Sequence, residues 1–321
     1  MQGLVTVFGG SGFVGSQVVR ALAKKGLRIR VAVRQPGRGY KLRMLGDVGQ
    51  IEVVQANIRV PTTVARALAG AEACVNLVGV LHESGRQKFQ SVHAMGAHNI
   101  AEVATAAGIR RLVHVSAIGA DIDSPAKYGR TKAMGEAAVR ELVPTAAIVR
   151  PSIVFGPGDG FFNMFGQLST LSPVLPLIGG GETRFQPVFV GDVGAAVTAC
   201  VLDPATEGRT FELGGPSTYS FKQLLELTCR ETGRSPLLLP LPFPLARLMG
   251  VGGDLMASFS PFAPPLTSDQ VEMLRADNVV SPGAPGLAEL GVQATALEPI
   301  LPTYLYRYRR GGQYADIPAE I

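Results

Sequence analysis

The sequence predicts an α/β fold: a doubly wound parallel sheet with a smaller, discontinuous C-terminal α/β region. Through the first half, short β-branched runs alternate with helix-period segments, the pattern of a parallel sheet covered on both faces. A glycine triplet falls where the first run meets the first helix. After Arg150 the texture changes, with Gly and Pro crowding 151–160 and 172–181.

Taken in order, β-branched runs predict strands at 3–8, 28–34, 51–55, 73–78, 111–116 and 145–150. Between the first two, Val14, Val18, Ala21 and Leu22 recur at helical spacing over 13–25, and Gly26 stops the helix. Similar cues predict helices near 62–69, 90–107 and 127–142, the last two punctuated by Gly108 and Pro144. A strand at 186–190 and a helix over 192–202, with Asp192 as its N-cap, read as a return to the sheet. The division this predicts is a nucleotide-binding domain over 1–155 plus 184–205, and a smaller substrate or partner domain over 156–183 plus 206–321.

Composition excludes several classes. A chain of 321 residues builds its core without disulfides or metals. Charged residues are only 17% and apolar residues 46%, which argues against disorder and means that the fold either buries much apolar area or exposes area that a partner covers. Its greasiest stretch, 236–266, is cut by prolines, Arg247 and Asp254, so no transmembrane helix is expected. Neither an export signal nor a presequence precedes the first strand. Cys74, Cys200 and Cys229 have no paired spacing and read as reduced core residues of a cytoplasmic protein. His82, His93, His98 and His114 lack metal-ligand spacing, so no metal site is expected.

Formal charge is +5, yet residues 1–46 hold nine basic side chains and no acid, leaving the rest of the chain net negative. One local cluster is not the broad basic face of a nucleic-acid binder. It suits a small phosphorylated ligand, although Lys24, Lys25 and Arg28 read better as solvated helix-end residues.

The segment VTVFGGSGFVG, Val5 to Gly15, gives that ligand a seat. Gly9 permits the tight turn, Gly12 lets backbone approach a pyrophosphate, and Gly15 lets helix and strand pack closely. The free N–H groups near Gly10, Ser11, Gly12, Phe13 and Val14 then meet negative charge at a helix N-terminus. Strand before and helix after are the context that makes the triplet a Rossmann-type dinucleotide turn. At the end of the second strand, where an acid would hold the ribose hydroxyls of NAD, this chain has Arg34. A guanidinium there favours the 2′-phosphate of NADP(H), with Arg38, Lys41 and Arg43 nearby.

With these motifs in order, the sequence resembles the extended and atypical short-chain dehydrogenase/reductases. The matching segments are Asn76 to Gly79, Tyr128 with Lys132 in a Tyr-x-x-x-Lys pattern, Arg150 to Gly156, and Val188 to Val193. More narrowly, it resembles the nicotinamide-nucleotide-binding accessory subunits of respiratory complex I and their bacterial relatives. That likeness runs through Gly46 to Gln50, Gly119 to Tyr128, Lys132 to Glu136, Leu266 to Glu272 and Asp277 to Ser281. The resemblance implies that Asn57 and Ile58, Leu77, Val78 and Gly79, Ser116, Tyr128, Lys132 and Pro151 line the cofactor. It also implies NADP(H) held as a structural element, and complex I subunits as partners.

A tyrosine and a lysine four apart share a helix face. In the catalytic reading, a neighbouring ammonium favours the Tyr128 phenolate. The resemblance places a third hydroxyl two residues beyond Ser116, where this chain has Ile118; Ser116 is the tentative substitute. A missing oxyanion donor costs about 3 kcal/mol of transition-state stabilisation. Three readings follow: a non-catalytic NADP(H)-binding accessory or assembly subunit of complex I, peripheral on the cytoplasmic face of the inner membrane; an NADPH-dependent oxidoreductase or epimerase acting on a hydrophobic quinone-like or isoprenoid substrate; or an NADPH redox sensor. Membrane-surface contact is expected through 237–265 and the Tyr/Arg-rich 301–314, for which a buried helix face with Leu301, Tyr304 and Tyr308 is an equal alternative.

Overall fold

The computed structural model describes residues 3–259 and 266–314. Seven parallel strands form its main sheet: β1 (Leu4–Phe8), β2 (Arg28–Val33), β3 (Ile51–Gln55), β4 (Ala73–Asn76), β5 (Arg111–Val115), β6 (Ala147–Pro151) and, later in the chain, β11 (Thr210–Leu213). Their order is β11-β6-β5-β4-β1-β2-β3. Winding reverses between β1 and β4, so a crevice opens beyond the carboxyl ends of those two strands, where open α/β sheets bind ligands.

Both faces of the sheet are covered. On one, α1 (Phe13–Lys24) and α6 (Val190–Leu202) pack Val18, Val19, Leu22, Val193 and Val197 onto Val5, Val7 and Val31, all fully buried. On the other, α2 (Pro61–Leu68), α3 (Met95–Ala106) and α4 (Lys127–Leu142) pack Val64, Ile100, Ala104 and Val139 onto Phe8, Cys74 and Ile148. The inner strands are buried on both sides, which is why they read as unbroken apolar runs instead of alternating.

A second core is aromatic. It gathers Phe155 of β7 (Val154–Phe155), Phe162 and Phe165 of α5 (Phe161–Leu171), Phe185 of β9 (Arg184–Phe185), Phe221 of α7 (Phe221–Thr232) and Tyr304 of α10 (Pro302–Leu305). Three small sheets serve this region: β10 (Val188–Phe189) with β7, β12 (Tyr219–Ser220) with β9, and β13 (Leu237–Leu241) with β8 (Val174–Ile178). On its outside lies α8 (Phe243–Phe259), followed by α9 (Ser268–Met273).

Six predicted strands and four predicted helices stand within a few residues of their expected bounds. Three expectations need correction. The division at 205/206 is wrong, because Thr210–Leu213 is the seventh strand of the main sheet, paired with β6. Leu287 also returns to the main core. Next, the strand expected over 186–190 shrinks to Val188–Phe189, since the helix already starts at Val190 with Phe189 as N-cap. Asp192 therefore sits inside the first turn, and its carboxylate accepts hydrogen bonds from the Thr295 N–H at 2.7 Å and hydroxyl at 2.9 Å.

The third correction concerns 301–314 as a membrane-facing strip. Leu301, Tyr304 and Leu305 are buried in the aromatic core. The Tyr304 hydroxyl donates to Asp159 at 2.5 Å and that of Tyr308 to Asn163 at 2.9 Å, while Arg309 reaches the Glu231 carbonyl at 2.7 Å. This strip fastens the second core. Of 237–265, positions 260–265 lie outside the described residues.

Candidate dinucleotide site

The glycine turn is built as its residue types require. Gly9 has φ +81°, a conformation that L side chains avoid, and its carbonyl accepts from the Gly12 N–H at 3.0 Å. A Cβ on Gly15 would lie 2.2 Å from that carbonyl oxygen, so only glycine lets α1 start this close to β1. Gly12 is the N-cap of α1, with no side-chain cap bond. The first-turn amides of α1, around Phe13 and Val14, are therefore free to meet an anion. Ser11 and Gly12 are exposed, while Gly10 is buried against Val31 and Val19.

At the adenosine end, Arg34, Gln55, Ala56, Asn57, Thr63 and Arg66 line a cleft of about 300 Å³. Thr63 takes the Asn57 N–H at 2.9 Å, and the Asn57 side chain accepts from Arg59 N–H at 3.2 Å. Ile58 is buried beneath α3, and its carbonyl accepts from the Asn99 amide at 2.8 Å. Arg66 escaped sequence reasoning because it lies in the last turn of α2, outside any motif; its register three residues past Thr63 on the same helix was the available signal. Among the described residues, neither Arg34 nor Arg66 forms an ion pair with a carboxylate.

The other end is buried and pinned. The Leu77 N–H donates to the Phe8 carbonyl at 3.0 Å, and the Val78 N–H to the Asn76 side chain at 3.1 Å, so the β4 exit lies against the glycine turn. A Cβ on Gly79 would stand 3.3 Å from Lys132 Nζ and 3.7 Å from His93 Nε2. Lys132 is buried and donates to the Val115 carbonyl at 3.2 Å. Burial pulls its pKa down to about 8, against the pull of Glu136 the other way. Its ammonium lies 5.9 Å from the centre of the Tyr128 ring.

Tyr128 and Lys132 are thus brought together, and burial pushes the Tyr128 phenol up to about 12. Ser116 is fixed through its N–H to the Val149 carbonyl at 2.7 Å, and its buried hydroxyl has no hydrogen-bond partner. Ile118 is buried at the hydroxyl position; its N–H donates to the Pro151 carbonyl at 3.1 Å and its carbonyl accepts from Asn278 at 3.3 Å.

Two histidines complete this end. A π-helical turn, Gln90–Ala94, ahead of α3 carries His93 inward, where its ring meets Tyr128 edge-on at 5.3 Å. His93 Nε2 accepts from the Val80 N–H at 3.0 Å, so Nδ1 carries the proton toward the Thr131 hydroxyl at 3.1 Å. His114 Nδ1 contacts the Asn76 amide at 3.0 Å, and its Nε2 has no partner. Burial, then the Lys132 charge, lowers both pKa values to about 3, so both rings are neutral at physiological pH. No group of His, Cys, Asp or Glu that could hold a metal ion occurs among the described residues.

Glycine turn, free helix amides, a cleft lined by guanidiniums, and an orphaned buried hydroxyl beside a buried lysine all fit a dinucleotide lying across the switch point. The chain belongs to the NAD dependent epimerase/dehydratase family. That family matches residues 5–214. The chain is also 34% identical to the Arabidopsis thaliana mitochondrial NADH dehydrogenase [ubiquinone] 1 alpha subcomplex subunit 9, over 96% of this chain and 79% of that one. A ceramide reductase of Caulobacter vibrioides is 33% identical over 81% of this chain and 80% of its own length. Among solved structures, the triphenylmethane reductase of Citrobacter sp. superposes with a TM-score of 0.74 at 18% identity, covering 94% of this chain and 99% of that one; it shares the fold.

Proposed function

We propose that this protein is a non-catalytic, NADP(H)-binding accessory or assembly subunit of respiratory complex I. The observation that carries the reading is the reach of the likeness. The family match covers residues 5–214, and the likeness to the complex I subunit, 34% identical, spans 96% of the chain and so takes in the second core as well.

Support for NADP(H) over NAD comes from the adenosine end, where the cleft is lined by Arg34 and Arg66 and by no carboxylate. Gly9 to Val14 would hold the pyrophosphate, Asn57 and Ile58 the adenine side, and Leu77 to Gly79, Ser116, Tyr128, Lys132 and Pro151 the nicotinamide side. The bound group would supply hydride chemistry; Ile118, where the resemblance expects a hydroxyl, would leave the site one oxyanion donor short. No described helix is long and apolar enough to cross a membrane. Peripheral docking at the cytoplasmic face of the inner membrane is supported by α8, where Leu245, Leu248, Met249, Val251, Leu255 and Met256 are each at least half exposed.

Purification of detergent-solubilised complex I tests the assignment. The chain is expected in stoichiometric amount, carrying a dinucleotide that native mass spectrometry detects. Its absence, with normal complex activity after deletion, would overturn the assignment.

A second reading, an NADPH-dependent oxidoreductase on a hydrophobic substrate, is favoured by the assembled Tyr128 and Lys132 and by the relative named a ceramide reductase. It requires NADPH oxidation with a ceramide-like, quinone-like or isoprenoid carbonyl substrate, abolished in Tyr128→Phe. No turnover across that panel removes it.

A further inference from the structure

Helix α4 carries Tyr128 and Lys132, yet it has no cap of its own: its N-cap is Ala126 and its first turn holds no acid. Four N–H groups at a helix start need partners. Two of them are met from far away. Asp269 accepts from the Lys127 N–H at 2.6 Å through Oδ1 and from the Tyr128 N–H at 3.0 Å through Oδ2. The carboxylate also sits at the positive end of the α4 dipole, where negative charge is stabilising.

Asp269 is itself held. It lies in the first turn of α9, whose capping box joins Thr267 and Gln270. The next residue back, Ser268, donates its hydroxyl to Asp254 of α8. A β-carboxylate so anchored fixes both the height and the rotation of the first turn of α4. Tyr128 is in that turn and Lys132 one turn further, on the same face. The Tyr128 ring has edge contacts with Phe89 at 5.9 Å and His93 at 5.3 Å, so a small rotation of the turn displaces it against a packed wall.

We propose that Asp269 is a positioning residue for the nicotinamide half of the crevice, setting Tyr128 and Lys132 from a segment 141 residues further along the chain. The inference rests on the dinucleotide reading of the site. It makes a distinction within one ligand: Asp269 acts on the nicotinamide-ribose half and leaves the adenosine half, at Arg34 and Asn57, untouched.

The test uses the full chain and two ligands, NADPH and 2′,5′-ADP, the latter being only the adenosine half. Asp269→Ala is expected to weaken NADPH about five- to tenfold, the usual worth of a lost helix cap, and to leave 2′,5′-ADP unchanged. Asp269→Asn, which keeps one acceptor oxygen, is expected to fall between. Hydrogen exchange gives a second readout: NADPH slows exchange at Lys127 and Tyr128 and at α9 together in the wild type, and uncouples the two in Asp269→Ala. Retained 2′,5′-ADP binding certifies the fold of each variant. Equal weakening of both ligands in either variant, or unchanged NADPH affinity, overturns the inference while the dinucleotide reading stands. Wild-type protein that binds neither ligand removes that reading and this inference with it.

Discussion

The two ends of the crevice are made of opposite materials. At the adenosine end, Arg34 and Arg66 are exposed, charged and free of carboxylate partners around a cleft of about 300 Å³. At the nicotinamide end, Lys132, His93, His114 and Ser116 are buried, hydrogen-bonded to backbone or neighbouring side chains or left orphaned, and both histidines are neutral. One end offers charge that water can reach. The other offers shape held in place from several elements, and its polar groups are pushed toward neutrality by burial. Burial likewise pushes the Tyr128 phenol up to about 12.

The glycine turn joins the two ends, so breaking it has the largest expected effect. Gly15→Val drives a side chain into the Gly9 carbonyl. NADPH affinity is expected to fall by about 100-fold or more as the pyrophosphate amides are displaced, with a stability loss of about 1–3 kcal/mol in denaturant titrations. Calorimetry of the double variant Arg34→Ala/Arg66→Ala sharpens the charged end. NADPH binding is expected to weaken about tenfold per guanidinium, with NADH unchanged, and the loss to shrink at high salt. If NADH weakens equally, both arginines serve adenine and not the phosphate.

Acid tests the buried end. His93 and His114 stay neutral in the fold down to about pH 3 but protonate near 6.5 when unfolded. The unfolded state thus binds more protons between those values, and stability falls as pH drops through that window. About 2 kcal/mol per histidine is expected to be lost between pH 7 and pH 5. Urea titrations at the two pH values check it, with His114→Asn removing part of the slope. The smallest effect lies outside the crevice. Tyr304→Phe takes one donor from Asp159, which keeps the Phe162 N–H at 2.7 Å, so about 1 kcal/mol of stability should go while NADPH affinity holds.

The same contrast explains what was legible in the sequence. The positions of the first six strands and the glycine turn were readable because each depends on residues close in the chain, where residue type answers a local backbone demand. Tyr128 and Lys132 were singled out by the family resemblance and their place after the fifth strand, with the four-residue spacing putting them on one helix face. Asp269, Asn278 and Thr295 were not readable as site or sheet contacts, because their partners lie 103 to 160 residues away. The place of His93 against Tyr128 depends on a π turn that the periodicity of 90–107 did not distinguish from plain helix. The 205/206 boundary failed for a related reason: a four-residue strand, TFEL, carries too little pattern to declare its sheet.

The remote hold on α4 has a consequence for how the protein is made. As the chain leaves the ribosome, the six strands up to Pro151 emerge more than a hundred residues before Asp269. Until that carboxylate arrives, the start of the tyrosine helix has two amides to offer only to water. The site is therefore finished late in synthesis, and a chain truncated before α9 would keep the sheet's pyrophosphate turn while leaving its reactive-side wall unset.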